Sequence, residues 1–264
     1  MEFVSQVEAL KQLQSLKQAD RHSVLVEGVA GCGKTYLAKQ YANMLEIEDF
    51  QIVEPNVQSI RDAIDTCMVM DNKVVLCIEN LDTGVPAASY TLLKFLEEPT
   101  SNVWVVVTCR NINKVPDTII SRSAVVNVSP PLVKDIELFS QTKHASRYPI
   151  VSKRSVWGCV RTFGDADTVL RMSDSQLDYF DSLRSFFMNP QPVSTMMWTI
   201  GHYTDNTETP VELVVRFLSY INNDPYIQKC AIQCLKDISQ SNVAQHICIA
   251  KFCFDTKYGK GSQV

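Results

Sequence analysis

Phe3, Val7, Leu10, Leu13 and Leu16 fall at helical spacing with no breaker among them, and they predict an amphipathic helix over residues 3–17. A short apolar run, Val24 to Val26, follows Arg21 and His22, then a glycine-bearing loop, then good helix formers from Thr35 to Leu45. That order reads as strand, loop, helix. The alternation continues with strands near Gln51–Val53, Val74–Ile78, Val103–Thr108 and Ala124–Val128. Between them the pattern predicts helices over Val57–Val69 and Ala87–Glu97 and a short one over Asp117–Ile120. Near-continuous Val and Ile runs joined by helices predict an α/β fold with a parallel five-stranded sheet covered on both faces.

The pattern changes at Ser129-Pro130-Pro131, where proline blocks helix continuation and ladder hydrogen bonding alike. A domain boundary is placed there. Beyond it the chain reads as helical over Val133–Lys143, Lys153–Thr162, Asp165–Met172 and Asp174–Met188, with later segments near 193, 211, 225 and 243. The clearest repeat is Leu177, Phe180, Leu183, Phe187 behind a Ser173 cap. The division expected is 1–131, 132–173 and 174–264, with a loose tail from Lys257.

Composition narrows the function. The 264 residues are 45% hydrophobic and 20% charged, a globular balance, and the net charge is −4. Residues 1–130 carry 11 basic and 16 acidic side chains, so a free-standing nucleic-acid binder driven by phosphate neutralisation is disfavoured. The only modest basic cluster, Arg147, Lys153, Arg154 and Arg161, reads as a solvated helical face. No stretch reaches the roughly 18 apolar residues that would suggest a bilayer span, so no membrane partner and a cytoplasmic location are expected. The nine cysteines are scattered through apolar runs, as reduced, buried thiols would be. Cys230, Cys234, Cys248 and Cys253, with His246, lack the paired spacing of a zinc site, so no zinc is expected.

The candidate chemistry lies in Gly28-Val29-Ala30-Gly31-Cys32-Gly33-Lys34-Thr35, which satisfies G-x-x-x-x-G-K-T between a strand and a helix. Glycines let consecutive N–H groups turn toward phosphate oxygens, Lys34 adds charge near the β and γ phosphates, and the Thr35 hydroxyl suits Mg²⁺. Such a loop needs an acid at the end of another buried strand, and Glu79 after Val74–Ile78 supplies it. The next residue is Asn80. An amide orients water but cannot take its proton, which leaves the general-base position without an occupant unless the displaced Asp82 fills it.

Further residues follow in a telling order: Arg21-His22, the phosphate loop, Ser59-Ile60-Arg61, Leu92-Leu93-Lys94-Phe95-Leu96-Glu97-Glu98-Pro99, and Ser121-Arg122-Ser123. Over residues 1–131 the chain resembles the AAA+ subunits of bacterial DNA polymerase III clamp loaders, and more distantly replication factor C. The resemblance implies a P-loop AAA+ domain, a small helical lid and a helical C-terminal collar. It implies ATP or ADP with Mg²⁺ held by Gly28, Val29, Ala30, Gly31, Cys32, Gly33, Lys34, Thr35 and Tyr36, with Glu79 beside the metal and Arg110 at the polar sensor position. It also implies that Arg122 acts as an arginine finger on a neighbour's ATP.

Other positions depart from the hydrolysing pattern. Thr108-Cys109-Arg110 looks more like the delta-prime than the gamma subunit, Asp167 stands where a lid arginine is usual, and the four-cysteine module after the P-loop helix is missing. A carboxylate at Asp167 would repel a terminal phosphate. The resemblance implies a delta-prime-like subunit of a hetero-oligomeric ring, working with other loader subunits, a sliding clamp and primer–template DNA. The alternative is a gamma-like or replication-factor-C-like ATPase that hydrolyses ATP in a ring.

Overall fold

The computed structural model describes residues 6–69, 71–97, 100–188, 211–221, 225–240, 248–249, 251–252 and 255. The expectations for Phe3, Glu98, Pro99, the segments near 193 and 243, His246, Cys253 and the tail lie outside these residues. The chain divides into two compact units. The first comprises residues 1–139 with 161–164, and the second comprises 140–160 with 165–264.

The first unit is built on five parallel strands in the order β2-β3-β4-β1-β5: β1 Ser23–Glu27, β2 Asp49–Val53, β3 Val74–Ile78, β4 Val103–Cys109 and β5 Ala124–Asn127. The register aligns Leu25 with Val107 and Val125, and Leu76 with Val105. All residues of β3 and β4 are buried, which is why these strands read as unbroken apolar runs and not as alternation. Helices α1 (Val7–Gln18), α2 (Lys34–Met44), α3 (Val57–Val69), α4 (Pro86–Glu97) and α5 (Asp117–Ile120) surround the sheet.

Side chains alternate between the two faces along each strand. Leu25, Leu76, Val105 and Val107 join Ile60 and Ile64 of α3 and Leu92 and Phe95 of α4 in one core. Val24, Val26, Val75, Cys77, Trp104 and Val106 join Leu13 of α1 and Leu37, Ala38 and Tyr41 of α2 in the other. The motif Arg21-His22 contributes to this second layer: Tyr41 donates to the Arg21 carbonyl at 2.7 Å, and the His22 ring stacks on Trp104 at 4.4 Å. Burial pushes the Cys77 and Cys109 thiols up to about 12, so neither is a nucleophile near neutral pH.

The second unit holds the last turn of α6 (Val133–Lys143) and most of α8 (Phe163–Arg171), with α7 (Tyr148–Val151), α9 (Asp174–Met188), α10 (Val211–Ile221) and α11 (Pro225–Gln240). The Ser173 cap forms as a reciprocal box, since Ser173 Oγ accepts from Gln176 N–H while Ser173 N–H donates to Gln176 Oε1 at 2.9 Å. Leu177, Phe180 and Leu183 are buried, and Phe180 meets Phe217 of α10 edge-on at 5.2 Å.

One expected helix is absent. Residues 153–162 form a short 3₁₀ turn over Ser155–Cys159 and then an extended passage. The Ser155 N–H goes to Asp181 of α9 instead of a helical carbonyl, and a Cβ on Gly158 would lie 2.6 Å from the Tyr220 ring of α10. The basic cluster is also not a free face. Arg147 pairs with Asp174 at 2.8 Å, and Arg154 pairs with Asp178 at 2.5 Å and Asp181 at 2.9 Å.

Asp167 departs from its expected role as a repelling charge. Lys143, His144 and Arg171 all bind its carboxylate, at 2.8, 2.9 and 2.8 Å. Burial raises its pKa, but hydrogen bonds from Lys143 and His144 and the charges of Lys143 and Arg171 outweigh that and hold it at about 2. The folded value lies below the unfolded value of 3.8, so this stabilisation is present above about pH 4 and is lost as the pH falls through 2. Asp167→Asn should cost about 2 kcal/mol at pH 7, with the deficit shrinking between pH 4 and pH 2 in denaturant titrations. A deficit that does not change with pH would show that the ion cluster contributes nothing.

Candidate functional site

The phosphate loop leaves β1 at Gly28 and enters α2 at Lys34. Gly31 and Gly33 adopt φ of +74° and +99°, left-handed conformations that L side chains rarely hold, so the loop can curl only with glycine at both positions. At Gly28 the constraint is space: a Cβ would lie 2.8 Å from the Val128 carbonyl and 2.9 Å from Cys32 Sγ.

Lys34 is buried, and its ammonium donates to the Gly28 and Val29 carbonyls at 2.8 and 3.0 Å, inside the curl of its own loop. Val29 and Tyr36 are exposed on either side of it, while Cys32 is fully buried beneath. At the first turn of α2, Thr35 Oγ1 donates a short hydrogen bond to Glu79 Oε1. The two residues expected to flank a metal are therefore in direct contact, although 44 positions separate them in the chain. Sheet order explains the meeting: β4 alone lies between β1 and β3, so their C-terminal ends stand two strands apart, close enough for the start of α2 to reach across.

Asn80, next to Glu79, adopts φ 50°, ψ 51°. Asparagine tolerates this left-handed geometry better than most residues, which accounts for its fit at the turn out of β3. Its N–H donates to Thr108 Oγ1 at 2.9 Å, so the buried Thr108 is the polar group of β4 that touches the end of β3. Arg110 is exposed, and its N–H donates to Asp82 Oδ1. The other Asp82 oxygen accepts from Asn111 N–H at 3.2 Å. The reading of Asp82 as a displaced base is thereby corrected: both of its oxygens clamp the loop after β4.

Two features of the site carry no motif. Gln6, at the start of α1, donates from Nε2 to the Cys32 carbonyl at 3.1 Å and reaches the Ser129 carbonyl at 3.3 Å. Residues 161–164 return to the first unit and lie on the loop apex. There the Gly164 N–H donates to the Gly31 carbonyl at 3.1 Å, and a Cβ on Gly31 would sit 2.5 Å from Thr162 Oγ1. The two glycines permit this backbone approach, and Phe163 packs beside Phe139 with ring centroids 5.4 Å apart. The signal in the sequence was Gly164 itself, but its partner lies 133 residues earlier and no local pattern points to it.

Arg122 follows α5. Its Nη1 donates to the Thr118 carbonyl at 2.9 Å and its Nη2 to Glu97 Oε1 of α4 at 2.8 Å, with the side chain partly exposed. Ser123 is tied to Ser23 of β1 by a 2.8 Å hydroxyl contact. The leucine-lysine-glutamate run and the Ser-Arg pair thus meet at one place, through Glu97 and Arg122.

This donor set suits a nucleotide bound through its phosphates. The loop backbone curls around Lys34, with the Gly28 and Val29 carbonyls on its ammonium, and a hydroxyl and a carboxylate stand together where Mg²⁺ needs oxygen ligands and tolerates several waters. Among the described residues, no group of three or more His, Cys, Asp or Glu side chains is placed to hold a metal by itself. Nor is any described helix long and apolar enough to cross a membrane.

Comparisons with known proteins agree with this geometry. The family model described as DNA polymerase III, delta subunit, matches residues 44–131. A DNA polymerase III gamma subunit-related protein from Thermotoga maritima superposes with a TM-score of 0.58 at 13% identity, covering 91% of this chain and 97% of that one. A RuvB mutant from the same organism superposes with a TM-score of 0.51 at 14% identity, covering 96% and 84%. At such identities the superpositions speak for the fold alone. No curated protein matches the sequence significantly. The sequence likeness to the DNA polymerase III delta subunit family is confined to residues 44–131, and over the wider chain the sheet order and the superpositions show a fold shared with the gamma subunit-related protein and RuvB.

Proposed function

We propose that the chain binds ATP or ADP with Mg²⁺ at the phosphate loop, turns ATP over weakly or not at all, and lends Arg122 to the ATP site of a neighbouring subunit. In this reading it is a delta-prime-like member of a hetero-oligomeric clamp-loader ring that acts with a sliding clamp on primer–template DNA. Residues 1–131 form the AAA+ domain, 132–173 the lid and 174–264 the collar.

The observation that carries the proposal is the pairing of Thr35 with Glu79 next to Asn80. The pair supports metal binding, while the position that would take a proton from water holds an amide. Lys34 would meet the β and γ phosphates, the N–H groups from Gly31 to Thr35 would bind the phosphate oxygens, and Thr35 and Glu79 would hold Mg²⁺. The ion supplies charge neutralisation at the phosphates. Arg122 lies outside this constellation, just after α5, which supports a role for its guanidinium on another molecule's phosphates.

The test is to measure nucleotide affinity and steady-state turnover on the purified chain. Binding of Mg²⁺–ATP with turnover near background is expected. Brisk hydrolysis that Lys34→Ala abolishes would favour the gamma-like alternative, and failure to bind any nucleotide would remove the proposal.

A further inference from the structure

In the second unit, the 3₁₀ turn Ser155–Cys159, helix α9 and the end of α10 enclose a cavity of about 420 Å³ lined by Arg154, Ser155, Gly158, Arg184, Tyr220 and Ile221. Two of its six lining residues are arginines and none is a carboxylate. The acids that neutralise Arg154 are Asp178 and Asp181, and they take its Nη2 and Nη1 and do not line the cavity. Its Nε is buried and makes no hydrogen bond.

Arg184 has no ion pair among the described residues. Its one contact there is a long 3.4 Å donation from Nη1 to Ser155 Oγ. Because Ser155 Oγ accepts from Arg184, its own O–H remains a donor. Two walls are tied in place: Ser155 N–H is bound to Asp181 at 3.1 Å, and the Tyr220 ring lies over Gly158, where a Cβ would come within 2.6 Å of it.

Arg154 is neutralised by its acids, but the Arg184 guanidinium and the Ser155 hydroxyl face a recess lined by no carboxylate, and a guanidinium without an ion pair beside a hydroxyl suits a tetrahedral oxyanion. We propose that this cavity is a phosphate-group site, separate from the phosphate loop, in which the Arg184 guanidinium and the Ser155 hydroxyl bind the oxygens. The phosphate can be free or part of a phosphodiester backbone, because the recognising chemistry is the same. Arg154 lines the recess with its charge already taken up by Asp178 and Asp181, and Arg184 provides the unneutralised charge.

The test uses the full chain and hydrogen exchange of the peptide covering residues 154–158, which reports this cavity apart from the phosphate loop. Inorganic phosphate, titrated against chloride at constant ionic strength, should slow exchange there. Arg184→Gln should weaken the effect roughly 10-fold or more, and Arg184→Lys should retain part of it. A single-stranded oligonucleotide serves as the second probe. If it protects the same peptide, and Arg184→Gln lowers its salt slope by about 0.7, the source is a phosphodiester. If inorganic phosphate alone protects, the source is free phosphate. Absence of protection with both probes, or equal protection in Arg184→Gln, overturns the proposal. Arg184 is exposed, so loss of the fold does not confound its variants.

Discussion

Arg122→Ala should reduce ATP turnover in the neighbouring subunit of an assembled ring by roughly 10³-fold, the scale on which an arginine finger stabilises a transferring phosphoryl group. The same change should barely alter the stability of the chain itself. The guanidinium gives up a partly exposed ion pair with Glu97 and a bond to the Thr118 carbonyl, and such surface pairs contribute at most about 1 kcal/mol. That contrast makes the experiment decisive. Thermal melting of the variant should match the parent while turnover in the reconstituted ring collapses. Arg122→Lys should rescue little, because an ammonium lacks the planar fork. Unchanged partner turnover would end the finger role, and the Glu97 contact would then stand as a helix-end tie and nothing more.

Lys34→Ala should weaken nucleotide binding by roughly 100-fold, equivalent to about 3 kcal/mol, since it deletes charge-assisted hydrogen bonds to the phosphates. Its effect on the free chain should run the other way or vanish. Among the described residues the buried ammonium's hydrogen bonds go to two neutral carbonyls, those of Gly28 and Val29, and removing a desolvated cation relieves a cost. The expected signature is an unchanged or slightly higher melting temperature without ligand, and loss of the upward shift that Mg²⁺–ATP gives the parent. A variant that keeps the full ligand-induced shift would show that the nucleotide does not use this loop.

Much of the first unit was legible in the sequence because its signals are local. A parallel sheet buries both faces, so Val74–Ile78 and Val103–Cys109 declare themselves as strands by composition alone. The phosphate loop is contiguous and its glycines have a single geometric purpose. The helix expected over 153–162 is a short 3₁₀ turn instead, because apolar spacing cannot show that a Ser155 N–H will find Asp181, or that Gly158 will lie against Tyr220. Asp167 was misread for the same reason, since its charge was visible and its three cationic partners were not.

The sequence by itself determined the strand and helix alternation, the loop that can cradle phosphate, the acid at the end of β3 and the amide beside it. Tertiary structure alone decided that Thr35 reaches Glu79, that Asp82 is spent on the backbone of Arg110 and Asn111, and that Gly164 lies on Gly31. It also decided that Arg122 is held by Glu97. Propensity and periodicity act over a few residues and are written in neighbouring side chains. Contacts across 25 to 133 positions depend on strand order and helix placement, which no short stretch of chain encodes.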